Sequence, residues 1–341
     1  MASIKLKGDT SGEVTIQAPS VAGTTTLNLP ATSSTLATQN SLGVRNLIIN
    51  GDMRIAQKGA SAVTTNLSFP VDRWTMYNSG GTFTAQQQTF TLGDAPDSRL
   101  QNYVRLTRSS PSGILYFTQK IEDVINSNNV TVTVSFYAKA NTNITVPVRL
   151  VQVFGSGGST AVTVGSINNS VTSSWQRFTA TFTCPSLSGK TIGTSSYLEL
   201  TFDTPATYST LDITGVQLEV GETATPFEHR PYDMELQRCM RYYWKPEASN
   251  KVFGTGYVVS ATRADMYSSL PVTMRTVPSI VNTSVAIRIN YAAVSVLATT
   301  ITLLASSTTG FSAYITGASG LTVGQGVTVA NNGVLELNAE L

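Results

Sequence analysis

Histidine is almost missing from this 341-residue chain: His229 is the only one. A single imidazole rules out histidine metal clusters. A Ser-His-Asp triad would have to be built on a residue wedged between Glu228 and Arg230, and no Gly-x-Ser-x-Gly elbow presents a nucleophile. Cysteine is scarce too. Cys184 and Cys239 are the only two and form no closely spaced metal or redox pattern, so two free buried thiols are expected rather than a disulfide. Charged residues are 12% of the chain and the net charge is +2, which leaves no basic stripe for nucleic acid and no strong field for an acidic substrate. Long apolar runs are lacking. The best, Tyr291 to Ala305, is broken by threonines and shorter than the roughly 18 to 20 residues of a membrane helix, so paired strands are expected there rather than membrane insertion. Met1-Ala-Ser-Ile-Lys-Leu-Lys-Gly8 has no apolar core behind its lysines and does not read as a secretory signal. Gly155-Ser-Gly-Gly158 lacks the lysine of a phosphate loop and reads as a turn.

What is abundant is threonine, roughly one residue in seven, with serine and valine beside it, a composition suited to pleated sheet. The chain reads as all-β. Gly12-Glu-Val-Thr-Ile-Gln-Ala-Pro19 recurs as Gly23-Thr-Thr-Thr-Leu-Asn-Leu-Pro30, two short alternating strands each ended by proline, and one such strand buries too little to stand alone. Residues Ala31 to Gly43 read as a linker. Short β runs follow at Arg73 to Tyr77, Tyr103 to Thr107, Ile114 to Gln119, Val130 to Ala138, Ile144 to Phe154, Arg177 to Thr183, Tyr197 to Phe202 and Leu211 to Val220. About eight strands at this spacing suit a double-sheet jelly roll over residues 44 to 230. Glycine-punctuated strands from Val252 to Leu341 give a second, smaller β domain within residues 247 to 341.

Between them the hydrophobic period changes. Val216, Leu218 and Val220 alternate as in a half-buried strand, whereas Leu236, Cys239, Met240 and Tyr243 fall on one helical face. Pro231 at the start, Asp233 and Glu235 near it, Arg238, Arg241 and Lys245 near the end and Pro246 as the stop define one short linking helix over residues 231 to 246. The run Val216-Gln-Leu-Glu-Val-Gly-Glu-Thr-Ala-Thr-Pro-Phe-Glu-His-Arg230, followed by Glu235-Leu-Gln-Arg-Cys-Met-Arg-Tyr-Tyr243, resembles the junction of bacteriophage tail-fibre proteins of the cyanophage type. Asn46-Leu-Ile-Ile-Asn-Gly-Asp52 with Asp72-Arg73-Trp74, and Leu270-Pro-Val-Thr-Met-Arg-Thr-Val-Pro278, are similar to the opening of the jelly roll and to a turn of the next domain in those proteins. The opening also resembles carbohydrate-binding modules that carry a structural calcium ion, but Arg54 stands where those modules place an acidic ligand. A guanidinium there removes an oxygen and adds like charge, so no metal or other cofactor is expected.

The resemblance implies a non-enzymatic fibre of the virion tail, made in the host cytoplasm, with an N-terminal extended segment over residues 1 to 43. Its implied partners are virion tail proteins, a host surface polysaccharide and two further copies of itself. Val14, Ile16, Leu27 and Leu29 of the repeat are the candidate contacts to the particle. A lone helix this short is marginal in water, so its face of Leu236, Cys239, Met240 and Tyr243 must be covered; a trimer seam would do it, as would the helix's own jelly roll. Phe311 and Tyr314, read as loop aromatics, are candidate receptor contacts. Trp74 and Trp175 read as core or sheet-edge packing, and Trp244 as packing against another domain or chain. Two rival classes remain: a purely structural head or neck fibre, and a depolymerase. The depolymerase needs two carboxylates across a cleft, for which Asp94 with Asp97, Glu122 with Asp123, and Asp203 with Asp212 are the local pairs.

Overall fold

Alternation of apolar and polar residues lays this chain out as strands. The computed structural model describes residues 3–7, 11–17, 45–110, 112–204, 210–246, 252–282, 287–291, 294–298, 300–331 and 335–341. The chain divides into two compact units, Met1–Gly43 and Val44–Leu341. In the first, β1 (Ser3–Lys7) and β2 (Glu13–Gln17) form an antiparallel pair with Ile4 opposite Ile16 and Leu6 opposite Val14. The first repeat strand, with Val14 and Ile16, therefore finds its partner within the same chain. The second, with Leu27 and Leu29, lies outside the described residues, as does the linker.

The second unit opens with a two-sheet sandwich. Its strands are β3 (Ser68–Val71), β4 (Trp74–Asn78), β5 (Phe83–Thr89), β6 (Asn102–Arg108), β7 (Leu115–Glu122), β8 (Thr131–Ala140), β9 (Ile144–Val153), β10 (Val162–Val171), β11 (Gln176–Thr183), β12 (Tyr197–Thr204) and β13 (Thr210–Val220). One sheet has the order β10-β9-β12-β7-β4-β3 and the other β11-β8-β13-β6-β5. All eight β runs read from the sequence are strands here. Those not read include β5 and β10, whose Gln-rich and Ser/Asn-rich sequences mask the alternation; both are sheet-edge strands. Inward residues of the two sheets make one core, in which Trp74 lies nearly parallel to Phe117 with ring centroids 4.6 Å apart and Phe136 meets Phe202 edge-on at 4.9 Å. Each fully buried phenylalanine of this kind contributes about 2 to 3 kcal/mol. Trp175 instead stays half-buried against Phe90 and Tyr103 on the other sheet's outer side.

After the sandwich come α1 (Tyr232–Met240), β14 (Tyr243–Trp244), β15 (Val252–Ser260), β16 (Arg263–Ser269), β17 (Ser279–Asn282), β18 (Ile287–Tyr291), β19 (Val294–Ala298), β20 (Thr300–Ser306), β21 (Gly310–Thr316), β22 (Gly326–Asn331) and β23 (Glu336–Asn338). They build a seven-stranded sheet, β19-β18-β22-β15-β16-β21-β20, and a three-stranded one, β14-β23-β17, over a second core around Met266, Met274, Phe311, Val329 and Leu337. Trp244 packs against that core. Among the described residues no helix is long and apolar enough to cross a membrane.

The helix is shorter than its periodicity suggests, and its face is covered within one chain. It ends at Met240 because the next peptide groups are taken by the second β domain: Arg275 N donates to Arg241 O (2.8 Å) and Ala339 N to Tyr242 O (2.8 Å). Tyr243 is then a strand residue opposite Asn338. Of the four seam candidates, Cys239 and Tyr243 are buried within this chain and Leu236 and Met240 half-buried. Cys184 and Cys239 are both free and buried.

What seats the helix is a buried polar joint. Asn46 ties the chain entrance to β13, its Nδ2 donating to Val216 O (3.0 Å) and its Oδ1 accepting from Leu218 N (3.0 Å). Asn50 closes its own loop through Ile55 N, Ile55 O and Asp72 O, each at 2.9 Å, and its backbone N donates to the Glu235 carboxylate. Gly51 is required there, since a Cβ would lie 2.1 Å from Val216 O. Arg230 lies 3.1 Å from Glu235 Oε2 and donates to Ile48 O (3.0 Å) and Asn46 O, while Glu228 accepts from Asn46 N (2.7 Å). Upstream, Glu219 accepts from Thr225 N (2.8 Å) and Thr225 Oγ1 (2.7 Å), folding the connector back over β13.

Both side chains of the Arg230–Glu235 pair are 4% exposed, so losing one partner strands a buried charge. Arg230→Ala should lower the unfolding free energy in urea by about 3 to 5 kcal/mol, and adding Glu235→Gln should restore part of that loss. Asp72, buried in the Asp72-Arg73 turn, accepts from Gln57 N (2.8 Å), and burial raises its pKa to about 6. An acid whose folded pKa is raised stabilises the fold below its unfolded pKa and loses that contribution as pH rises through the folded one. Between pH 7 and 4.5 the stability of the wild type relative to Asp72→Asn should therefore rise by about 2 kcal/mol, measured by urea titration at each pH. A flat difference would exclude a shifted carboxyl.

Candidate functional site

The six-stranded sheet buries one face in the sandwich core, and strand parity sends the alternate side chains outward. Cross-strand register sorts these into rows. Tyr77, Tyr116 and Asp203 make the first; Thr75, Thr118, Thr201 and Arg149 the second; Lys120, Glu199 and Val151 the third. Leu67, Phe69 and Ile114 add apolar surface, and Tyr197 and the segment Asn338, Glu340 and Leu341 complete the lining. Together, Asp203 and Val151 excepted, they line an open groove of about 750 Å³.

Its aromatic rings are held in place from below and beside. Tyr77 and Tyr116 lie nearly parallel with centroids 5.8 Å apart, the Arg149 guanidinium sits 4.7 Å from the Tyr116 centroid, and Lys120 Nζ sits 4.7 Å from the Tyr197 centroid. Arg149 also donates to Asp203 Oδ1 (3.3 Å), and Lys120 to Leu341 O (3.0 Å). Burial raises the pKa of Asp203 despite the neighbouring guanidinium, lowers that of Lys120, and raises that of the Tyr197 phenol. The side chains on the floor present hydroxyl, carboxylate, guanidinium and ammonium groups among tyrosine faces. Tyr77, Leu67 and Ile114 leave 41%, 62% and 46% of their surface open to solvent. Such a surface combines flat apolar contact with hydrogen bonding in several directions.

Few of the residues singled out from the sequence lie here. Phe311 is 1% exposed, facing inward from β21 beside Ala313 and Ile315, and is no receptor contact as a loop aromatic. Tyr314, of opposite parity on the same strand, is half-buried under the Arg263 guanidinium at 4.7 Å. His229 Nε2 lies 3.0 Å from Asp97 Oδ2, and its ring meets Phe227 edge-on. Glu122 accepts from Arg241 Nη2 (2.8 Å) and Tyr242 OH (2.8 Å), and Asp212 from Arg105 Nε (2.8 Å), on the opposite sheet from Asp203. Arg54 Nε lies 2.9 Å from Asp52 Oδ2, a cationic partner within the chain for that carboxylate. The groove tyrosines were missed because each was counted only as strand-forming. The available signal was their parity: Tyr77, Tyr116 and Tyr197 occupy outward positions where a solvated strand carries polar residues.

No protein-family model matches the chain, and no curated protein matches it. Among solved structures, the enzymatically active domain of tailspike protein 4 of bacteriophage CBA120 is similar at 18% identity and a TM-score of 0.35, over 52% of this chain and 21% of that one. This chain thus spans about a fifth of that domain's length. The N-terminal cellulose-binding domain of Cellulomonas fimi β-1,4-glucanase C is similar at 18% identity and a TM-score of 0.31, over 44% of this chain and 90% of that one. The CBM22-1 xylan-binding domain of Paenibacillus barcinonensis Xyn10C matches at 16% identity and a TM-score of 0.31, over 52% of this chain and 96% of that one.

Proposed function

We propose that this chain is a non-enzymatic, saccharide-binding component of a phage tail fibre, and that the groove on the six-stranded sheet holds an extended glycan of the host surface. The observation that carries the reading is the set of groove tyrosines: sugar rings expose C–H faces that pack on aromatic faces, while their hydroxyls need donors and acceptors at the ring edge. Tyr77, Tyr116 and Tyr197 supply the faces, and Thr75, Arg149 and Glu199 supply polar groups between them. The open trough suits a polymer better than a compact ligand. The fibre setting, its location in the particle and its threefold assembly are supported by the resemblance of the junction and opening motifs alone. The helix does not add to that support, since its own chain covers much of the face.

Binding without turnover is the chemistry this arrangement favours. Asp203 is tied to Arg149 and Glu122 to Arg241, so these carboxylates serve as structural partners of cations. A weak groove repeated in an assembled fibre would gain apparent affinity by avidity where spacing allows.

The test is an array of cellohexaose, xylohexaose, laminarihexaose and bacterial O-chain and capsular oligosaccharides. At least one should bind the wild type. Tyr116→Ala and Tyr77→Ala should each weaken binding about tenfold, the loss expected from removing one aromatic contact of about 1.4 kcal/mol. Host polysaccharide should keep its length after prolonged incubation. Shortened chains, or an array with no bound glycan, would overturn the proposal.

A further inference from the structure

The groove's floor belongs to the sandwich, but one of its walls does not. Asn338 lies in β23 of the C-terminal β domain, and Glu340 and Leu341 follow it; all three line the groove beside Lys120, Tyr197 and Glu199. This wall is pinned by both domains. From its own domain, Arg275 Nε donates to Ala339 O (2.8 Å) and Arg275 Nη2 to Glu340 O (2.8 Å), and the side chain of Asn338 accepts from Glu340 N (3.0 Å). From the sandwich, Arg73 pairs with the Glu340 carboxylate, Lys58 Nζ lies 3.4 Å from it, and Lys120 Nζ donates to Leu341 O (3.0 Å). Lys120 is the shared element, since the same ammonium caps the Tyr197 ring on the floor.

We infer that the groove is a two-domain site: residues Asn338 to Leu341 contact the bound saccharide as its side wall, and Arg275 is the positioning residue that holds them there. This rests on the saccharide reading of the groove. Arg275 lies behind the wall rather than in the groove; it holds the backbone of Ala339 and Glu340, and its Nη1 reaches Ser195 Oγ (3.3 Å) on the sandwich. A wall held in place before binding removes an ordering cost that the ligand would otherwise bear. The coupling is reciprocal: whatever tightens the wall tightens saccharide binding, and saccharide binding tightens the wall.

The experiment uses the full chain and the array oligosaccharide bound most tightly. Hydrogen exchange reads the Ala339 amide, which donates to Tyr242 O (2.8 Å), and calorimetry reads affinity. Saturating oligosaccharide should slow Ala339 exchange at least fivefold. Arg275→Ala should weaken affinity about tenfold, with Trp74 fluorescence unchanged as a check on the sandwich, and Arg275→Lys should recover part of the loss. Should Arg275→Ala fail to fold, Asn338→Ala makes the same test from within the wall. If Tyr116→Ala weakens binding about tenfold while the Arg275 and Asn338 variants bind as the wild type does and Ala339 exchange ignores the oligosaccharide, the wall is not part of the site and the inference fails alone. If no oligosaccharide binds the wild type, the saccharide reading fails and takes this inference with it.

Discussion

The Arg230–Glu235 pair, buried beneath the entrance of the sandwich, is the constraint on which the rest of the second unit depends. Taking two charges out of water costs several kcal/mol each, and the cost is offset only where the remaining donors and acceptors are also met. Here they are met by backbone: Ile48 O and Asn46 O receive Arg230, and Asn50 N reaches Glu235. The pair therefore fixes the opening loop, the connector and the start of α1 relative to one another. With α1 so placed, Tyr242 comes under the Arg73 guanidinium, 3.5 Å from the ring centroid, and Tyr243 enters the sheet with β23. The second β domain is oriented by the same contacts that orient the helix.

This explains what the motifs behind the resemblance do physically. Asn46 to Asp52, Asp72-Arg73-Trp74, the connector ending at Arg230, and Met274-Arg275 are joints rather than binding residues. Trp74 Nε1 donates to Asn50 O (3.0 Å), Asp72 holds Gln57, Gln217 Oε1 receives Glu228 N (2.8 Å), and Arg275 braces the segment after β23. The groove is lined by other residues, although β4 serves both, Trp74 in the joint and Thr75 and Tyr77 in the groove. Under the proposed function, the groove's ligand can change through outward-facing residues such as Tyr77, Arg149 or Glu199 while the joints stay as they are, because outward positions bear little of the packing energy.

Much of the fold was legible in the sequence. Period-2 alternation located all eight strands read from it, and the change of period after Gly221 located the helix. β5 and β10 escaped because an edge strand can be polar on both faces, and Gln86-Gln87-Gln88 and Asn168-Asn169-Ser170 look like loop. The helix was read too long because Tyr243 fits the i+7 position of its face. Only the competing bonds from Arg275 and Ala339 end it at Met240.

The sequence by itself determined that the chain is β-built and located its α-helix between two β regions. Those conclusions follow from composition and local periodicity, which need no partner residue. Tertiary structure alone decided which face of each strand is open. Phe311 and Tyr314, three residues apart on one strand, end on opposite faces, one in the core and one beneath Arg263. Tertiary structure also brought Tyr77, Tyr116, Tyr197 and Leu341 to one groove, across more than 260 residues of chain. Register between strands, and the docking of one β domain against another, are long-range choices, and no local pattern encodes them.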